Sequence, residues 1–97
     1  MLTQDYILET LGAYSKRYKN KYGIEKIGLF GSFASNSATE QSDVDVFISL
    51  NHSNLFLLSR IRIELEELLG VPVDIVQLRD RMNKYLKKRI EQEAISA

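Results

Sequence analysis

The chain contains no cysteine, so neither a disulfide nor a thiolate metal site is available to it. Proline occurs once, as Pro72, and histidine once, as His52. His52 lies between Asn51 and Ser53, a setting that favours a solvated loop residue over a catalytic base. Net charge is missing as well: thirteen basic residues balance thirteen acidic ones. That balance removes any global electrostatic reason to bind nucleic acid or a membrane. The longest uninterrupted apolar run, Leu55 to Leu58, is far short of a bilayer span. No N-terminal stretch has the basic-then-apolar layout of a signal peptide. A soluble, cytoplasmic protein is expected.

What remains is the composition of an ordinary folded chain, 44% hydrophobic and 27% charged. Its 97 residues suffice for a single domain, 1–97. A domain of that size hides only about two thirds of its unfolded surface, so a partner or a homodimer would add to a modest core. Basic residues gather early (Lys16, Arg17, Lys19, Lys21, Lys26) and late (Arg79, Arg81, Lys84, Lys87, Lys88, Arg89). Such runs are read first as solvated faces. A nucleic-acid partner is the weaker reading.

Apolar residues at steps of three or four, Ile7, Leu11, Tyr14 and Tyr18, predict a helix over 3–21. Thr3 is its N-cap and Gly23 its end. Tyr6, Tyr14, Tyr18 and Tyr22 fall near one stripe and are assigned to packing. Residues 24–30 form a strand that enters a tight turn at Gly31-Ser32, followed by a helical turn and loop from Phe33 to Gln41. Period-two alternation over 43–50 marks a second strand. A helix follows from Leu55 to Leu69, with Leu58, Ile61, Leu65 and Leu68 as its buried stripe and Gly70 beyond its end. Val71 to Leu78 reads as a third strand, and residues 80–94 as a helix burying Met82, Leu86 and Ile90. The fold class is α/β (α+β): a small mixed β-sheet flanked by helices.

Strand geometry gives the second strand two characters. Val44, Val46, Ile48 and Leu50 share one face, while Asp43 and Asp45 share the other. Two carboxylates roughly 6–7 Å apart along a strand repel each other. A divalent cation between them reverses that interaction, and Mg²⁺ favours a few carboxylates plus waters and substrate phosphates. Taken alone, an Asp-x-Asp pair is more often a pair of solvated charges. Asp74 interrupts the apolar run Val71-Pro-Val-Asp-Ile-Val. If the third strand lies beside the second, Asp74 joins Asp43 and Asp45 on one face; otherwise it is a strand-end charge that reaches water or a lysine. Gly31-Ser32 permits backbone N–H groups to approach a phosphate, although a Gly-Ser dipeptide alone is only a turn.

Together, Leu29-Phe-Gly-Ser-Phe-Ala, Ser42-Asp-Val-Asp and Val73-Asp-Ile-Val resemble the signature of the DNA polymerase β-type nucleotidyltransferase superfamily. The likeness spans almost the whole chain and includes the C-terminal pattern Arg89-Ile-x-x-Glu-Ala-Ile. It is nearest to the minimal nucleotidyltransferases that act as antitoxins to HEPN-domain toxins. The resemblance implies that Gly31 and Ser32 hold a nucleoside triphosphate, with ATP the first choice. It implies Mg²⁺, or Mn²⁺, on Asp43, Asp45 and Asp74, with Asp74 completing the metal site or serving as base. AMP would then pass to an acceptor hydroxyl such as a tyrosine of a HEPN partner. The alternative is an antitoxin that neutralises its partner by docking alone. One departure stands out: the family pattern continues with Arg-Gly where this chain has Ser35-Asn36.

Overall fold

The computed structural model of the protein describes residues 2–52, 54–79 and 82–97. Helix α1 (Gln4–Tyr22) starts where the Thr3 side chain accepts the N–H of Tyr6 at 3.1 Å. It ends at Gly23, whose left-handed φ of 67° lets its N–H reach the Lys19 carbonyl. Strands β1 (Ile24–Phe30) and β2 (Val44–Leu50) follow as an antiparallel pair. Helix α2 (Leu55–Leu69) is capped by Asn54 and Gly70 and crosses over to β3 (Val73–Gln77), which lies parallel to β2. Helix α3 (Lys84–Glu93) leads into β4 (Ile95–Ser96), and the sheet order is β3-β2-β1-β4. The fold class read from the patterns is therefore correct, a mixed sheet with helices.

The main core lies between the sheet and the helices α1 and α2. Ile7 and Leu11 from α1, Ile61 and Leu65 from α2, and Ile27, Leu29, Val44, Val46 and Ile48 from the sheet are all buried in one cluster. Burial of such side chains contributes on the order of 1.5–3 kcal/mol each. Two expectations about α2 and α3 need correction. Leu68 is 52% exposed, and its neighbour Leu69 takes the core position. The buried residues Ile61, Leu65 and Leu69 step by four, so the stripe winds slowly around the helix instead of returning toward its line at position 68. In α3 only Ile90 is buried, whereas Leu86 is half-buried and Met82 precedes the helix. The first two positions of the expected 80–94 helix lie outside the described residues.

β4 is the one strand that periodicity did not suggest. It pairs antiparallel with β1 at Gly28 and Leu29, and the Ala97 N–H continues the edge by donating to the Ile27 carbonyl at 3.0 Å. The C-terminal pattern thereby acquires a physical meaning. Ile90 is the buried anchor, Arg89 pairs with Glu93 at 3.7 Å, and Ile95 enters the sheet. Glycine is required at Gly28, because any Cβ there would run into the Phe47 ring and the Ile95 carbonyl.

Tyr14, Tyr18 and Tyr22 of the α1 stripe pack as expected, whereas Tyr6 is 49% exposed, and the hydroxyls of Tyr14 and Tyr22 meet one carboxylate. Tyr14 and Tyr22 donate their hydroxyls to Glu64 Oε1 at 2.7 and 3.0 Å, and Tyr18 stacks between their rings. Burial, then the hydrogen bond to Glu64, pushes the Tyr14 hydroxyl well above its ordinary value, and Tyr22 shifts the same way for the same reasons. Glu64→Leu would strand both hydroxyls, a loss of about 1–3 kcal/mol. The melting temperature is expected to drop by about 5–15 °C. Adding Tyr14→Phe and Tyr22→Phe should recover part of that loss, since an apolar replacement on both sides leaves nothing unsatisfied. Thermal unfolding followed by circular dichroism reads both steps; a Glu64→Leu melt equal to wild type would contradict them.

Candidate active site

The site forms where β1 ends and where β2 and β3 begin. Two parallel strands in register deliver matching positions to the same face of a sheet. Asp45 is the direct partner of Asp74, just as Val44 is of Val73 and Val46 of Ile75. The Val44 N–H donates to the Pro72 carbonyl at 3.1 Å and starts this pairing just ahead of the two carboxylates. On its other side Asp45 pairs with Phe30, the last residue of β1. Neighbouring strands lie about 4.8 Å apart, and charges at roughly that distance repel by about 1 kcal/mol in water and several times more at lower dielectric.

Asp45 is half-buried, while Asp43 and Asp74 are exposed. Asp43 stands one residue before β2, so the strand expected over 43–50 starts one residue later. The Asp45 carboxyl is raised above its usual range, first by burial, then by the charges of Asp74 and Asp43. All three acids thus act on one locus, and two of them are register partners. Among the described residues, no three acidic or histidine side chains converge to the spacing of a closed ligand cluster. Like charges spread in this way on an open sheet face.

Gly31 follows β1 with φ 74°, a conformation that disfavours any residue with a Cβ. Space excludes one too: a Cβ at position 31 would collide with Asp45 Oδ2 and lie 3.0 Å from its Cγ. The turn therefore passes directly over the half-buried carboxylate. Beyond Gly31 the chain coils through Ser32 to Asn36. The Ser35 N–H donates to the Gly31 carbonyl at 3.1 Å, and the Ser37 N–H to the Ser32 carbonyl at 2.9 Å. Among the described residues no hydrogen bond uses the N–H of Ser32, Phe33 or Ala34. Those three donors occupy the first positions of a helical turn, the arrangement that receives anions elsewhere. Phe33 is buried and roots the turn in the core.

The Ser35-Asn36 departure is explained locally. Asn36 has φ 57°, the left-handed region that glycine favours and asparagine tolerates. Ser35 turns its hydroxyl inward to the Ser37 hydroxyl at 2.7 Å and the Ser32 carbonyl at 3.2 Å. The turn survives the exchange, and a guanidinium is absent from it. Gln4, unmarked in the sequence, also belongs here: its amide nitrogen donates to the Phe33 and Ala34 carbonyls, both at 3.0 Å. No signal within a helical pattern reveals a contact across 29 positions. His52 lies exposed at the far end of β2 and takes no part.

The donor set suits a hard divalent cation. Oxygen ligands on adjacent strands, mutual repulsion among three acids, and an unobstructed glycine turn above them fit Mg²⁺ better than a soft metal.

The family described as "Nucleotidyltransferase domain" matches residues 11–97. A Methanocaldococcus jannaschii protein named "Putative protein adenylyltransferase MJ1379" is 38% identical over 98 residues, covering 98% of each chain. Protein adenylyltransferase MntA of Thermococcus cleftensis is 34% identical, covering 98% of this chain and 96% of its own. A chain in the solved complex of tri-AMPylated Shewanella oneidensis HEPN toxin with MNT antitoxin shares the fold, with a TM-score of 0.72 at 17% identity. That match covers 97% of this chain and 71% of the other. Matched over residues 11–97 and aligned with its relatives along nearly their full length, this chain belongs to the nucleotidyltransferase family, and it is a nucleotidyltransferase.

Proposed function

We propose that this nucleotidyltransferase moves AMP from ATP to a protein hydroxyl, with a tyrosine of a HEPN-domain toxin as acceptor, and so serves as an antitoxin. The observation that carries this reading is the Asp45–Asp74 register pair beneath the Gly31 turn. Names of relatives, protein adenylyltransferase, supply the nucleotide and the protein acceptor. The AMPylated toxin of the structurally similar complex supplies the partner class.

In this reading Asp43, Asp45 and Asp74 would hold Mg²⁺, and the ion would supply positive charge to offset that of the triphosphate. The N–H groups of Ser32, Phe33 and Ala34, with the Ser32 hydroxyl, grip the outgoing phosphates. Phosphate oxygens approach the backbone closely because Gly31 carries no side chain. The acceptor oxygen attacks the α-phosphorus, the bridging bond to the β-phosphate breaks, and pyrophosphate leaves. The acceptor's proton passes to the exposed Asp74 carboxylate. Asp45, half-buried between its neighbours, keeps the arrangement rigid by its place within the strand.

The test uses ATP labelled at the α-phosphate, Mg²⁺ or Mn²⁺, and a purified HEPN-domain protein. Label is expected on the partner, at tyrosine, and only with the divalent cation. A stable complex without label transfer would favour neutralisation by docking. That second reading draws on Leu55 and Phe56 at the start of α2, which stand 78% and 90% exposed, and on the arginine replaced by Ser35.

A further inference from the structure

The turn that follows β1 is held to the rest of the molecule unevenly. Its hydrogen bonds among Gly31, Ser32, Ser35 and Ser37 are all local, spanning five positions at most. Among the described residues, one side chain from a distant element bonds to it, and that is Gln4 at the first position of α1. Both amide protons of Gln4 are engaged, one on the Phe33 carbonyl and one on the Ala34 carbonyl, each at 3.0 Å.

Those two carbonyls are not neutral choices. A peptide unit is planar, with its C=O and the following N–H pointing in opposite directions. Holding the Phe33 carbonyl toward α1 therefore turns the Ala34 N–H to the other side. Holding the Ala34 carbonyl does the same for the Ser35 N–H, which meets the Gly31 carbonyl at 3.1 Å. Gln4 thus sets the tilt of the two peptide planes that close the helical turn. Donating to a carbonyl also polarises its peptide and strengthens the N–H at the other end.

We infer that Gln4 is a positioning residue for triphosphate binding, acting from α1 through the Phe33 and Ala34 carbonyls to aim the Ala34 N–H and to hold the turn closed behind it. The inference rests on the reading of the Gly31-Ser32 turn as the phosphate site. Gln4 itself touches no substrate. Its effect is on the β- and γ-phosphates, and the adenosine end is indifferent to it.

Gln4→Leu removes both donors at similar size, and Gln4→Glu keeps the shape but turns oxygen lone pairs toward two carbonyls. Glutamate at the first position of a helix also suits the dipole, so α1 is not weakened by that exchange. The measurement is calorimetric affinity for α,β-methylene-ATP, whose carbon bridge blocks transfer, and for AMP, each with Mg²⁺. Wild type should prefer the triphosphate analogue. Gln4→Leu and Gln4→Glu should reduce that preference about five- to twentyfold, with AMP affinity and thermal melting near wild type. A residue of purely structural importance would lower the melt and weaken both ligands together, which overturns the assignment. Ser32→Ala separates the two levels. If it lowers the preference and the Gln4 variants do not, the role of Gln4 is wrong while the phosphate site stands. If Ser32→Ala and Gly31→Ala both leave the preference unchanged, the turn is not the phosphate site and the role of Gln4 falls with it.

Discussion

Asp43→Ala combined with Asp45→Ala is expected to abolish AMP transfer while the protein without divalent cation becomes harder to unfold. The first half follows from the chemistry of the site. Ions held by carboxylates supply several kcal/mol of transition-state stabilisation, and each 1.36 kcal/mol is a factor of ten. A fall of roughly a thousandfold or more is the expected size. The second half follows from repulsion, because Asp45 is raised by burial and by the charges of Asp74 and Asp43. A raised carboxyl binds its proton more tightly in the folded protein than in the unfolded chain. Its contribution is therefore favourable below the ordinary value of 3.8 and is lost as pH rises through the folded value. Above the folded value the charged Asp45 opposes folding, and neutral residues in its place relieve that opposition. Exposure weakens the effect, so a gain on the order of 2–4 °C in melting temperature is expected in chelator. With Mg²⁺ present, binding to the folded state should erase or reverse the difference. Label transfer and thermal unfolding with and without chelator check both halves. Undiminished transfer by the double variant would remove these carboxylates from the reaction.

The second large effect separates two glycines with the same backbone. Gly31 and Gly70 both have φ 74°, so alanine at either position carries the same left-handed strain, about 1–2 kcal/mol. Their surroundings differ. Nothing lies within 4 Å of a Cβ at position 70, whereas at position 31 it meets the Asp45 carboxylate. Gly70→Ala should cost about 4–10 °C in melting temperature and leave ATP binding intact. Gly31→Ala should cost at least as much and also lose more than about tenfold in affinity for the triphosphate. Displacement of Asp45 and lifting of the turn both work in that direction. Equal loss of ATP affinity in the two variants would show that strain alone, not contact at the site, is responsible.

How much of this was legible beforehand depended on whether a residue's task is local. The span of helix α2 is legible because polar turn residues precede it, Gly70 ends it, and nothing remote alters its ends. The Gly31 turn and the Asp-x-Asp pattern were legible for the same reason, as a few adjacent positions carry their geometry. The choice between Leu68 and Leu69 was not, because adjacent leucines satisfy a 3.6-residue period almost equally. β4 was missed because two residues hold no period, and its existence depends on the edge that β1 offers. Gln4 and Glu64 lie on helices as polar residues among others, and only the packing of distant elements gives them partners. The juxtaposition of Asp45 with Asp74 depends on strand order, which no local pattern carries, and the parallel register supplies it.

That parallel register also has a kinetic side. Hairpin partners such as β1 and β2 meet early, since the chain between them is short, but β2 and β3 meet only after α2 has folded back across the sheet. Asp45 and Asp74, 29 positions apart, are brought together by that late closure, and their charges resist it. The candidate site thus lies where strand pairing meets electrostatic opposition, and a cation that bridges it would hasten that closure as well as equip the finished site.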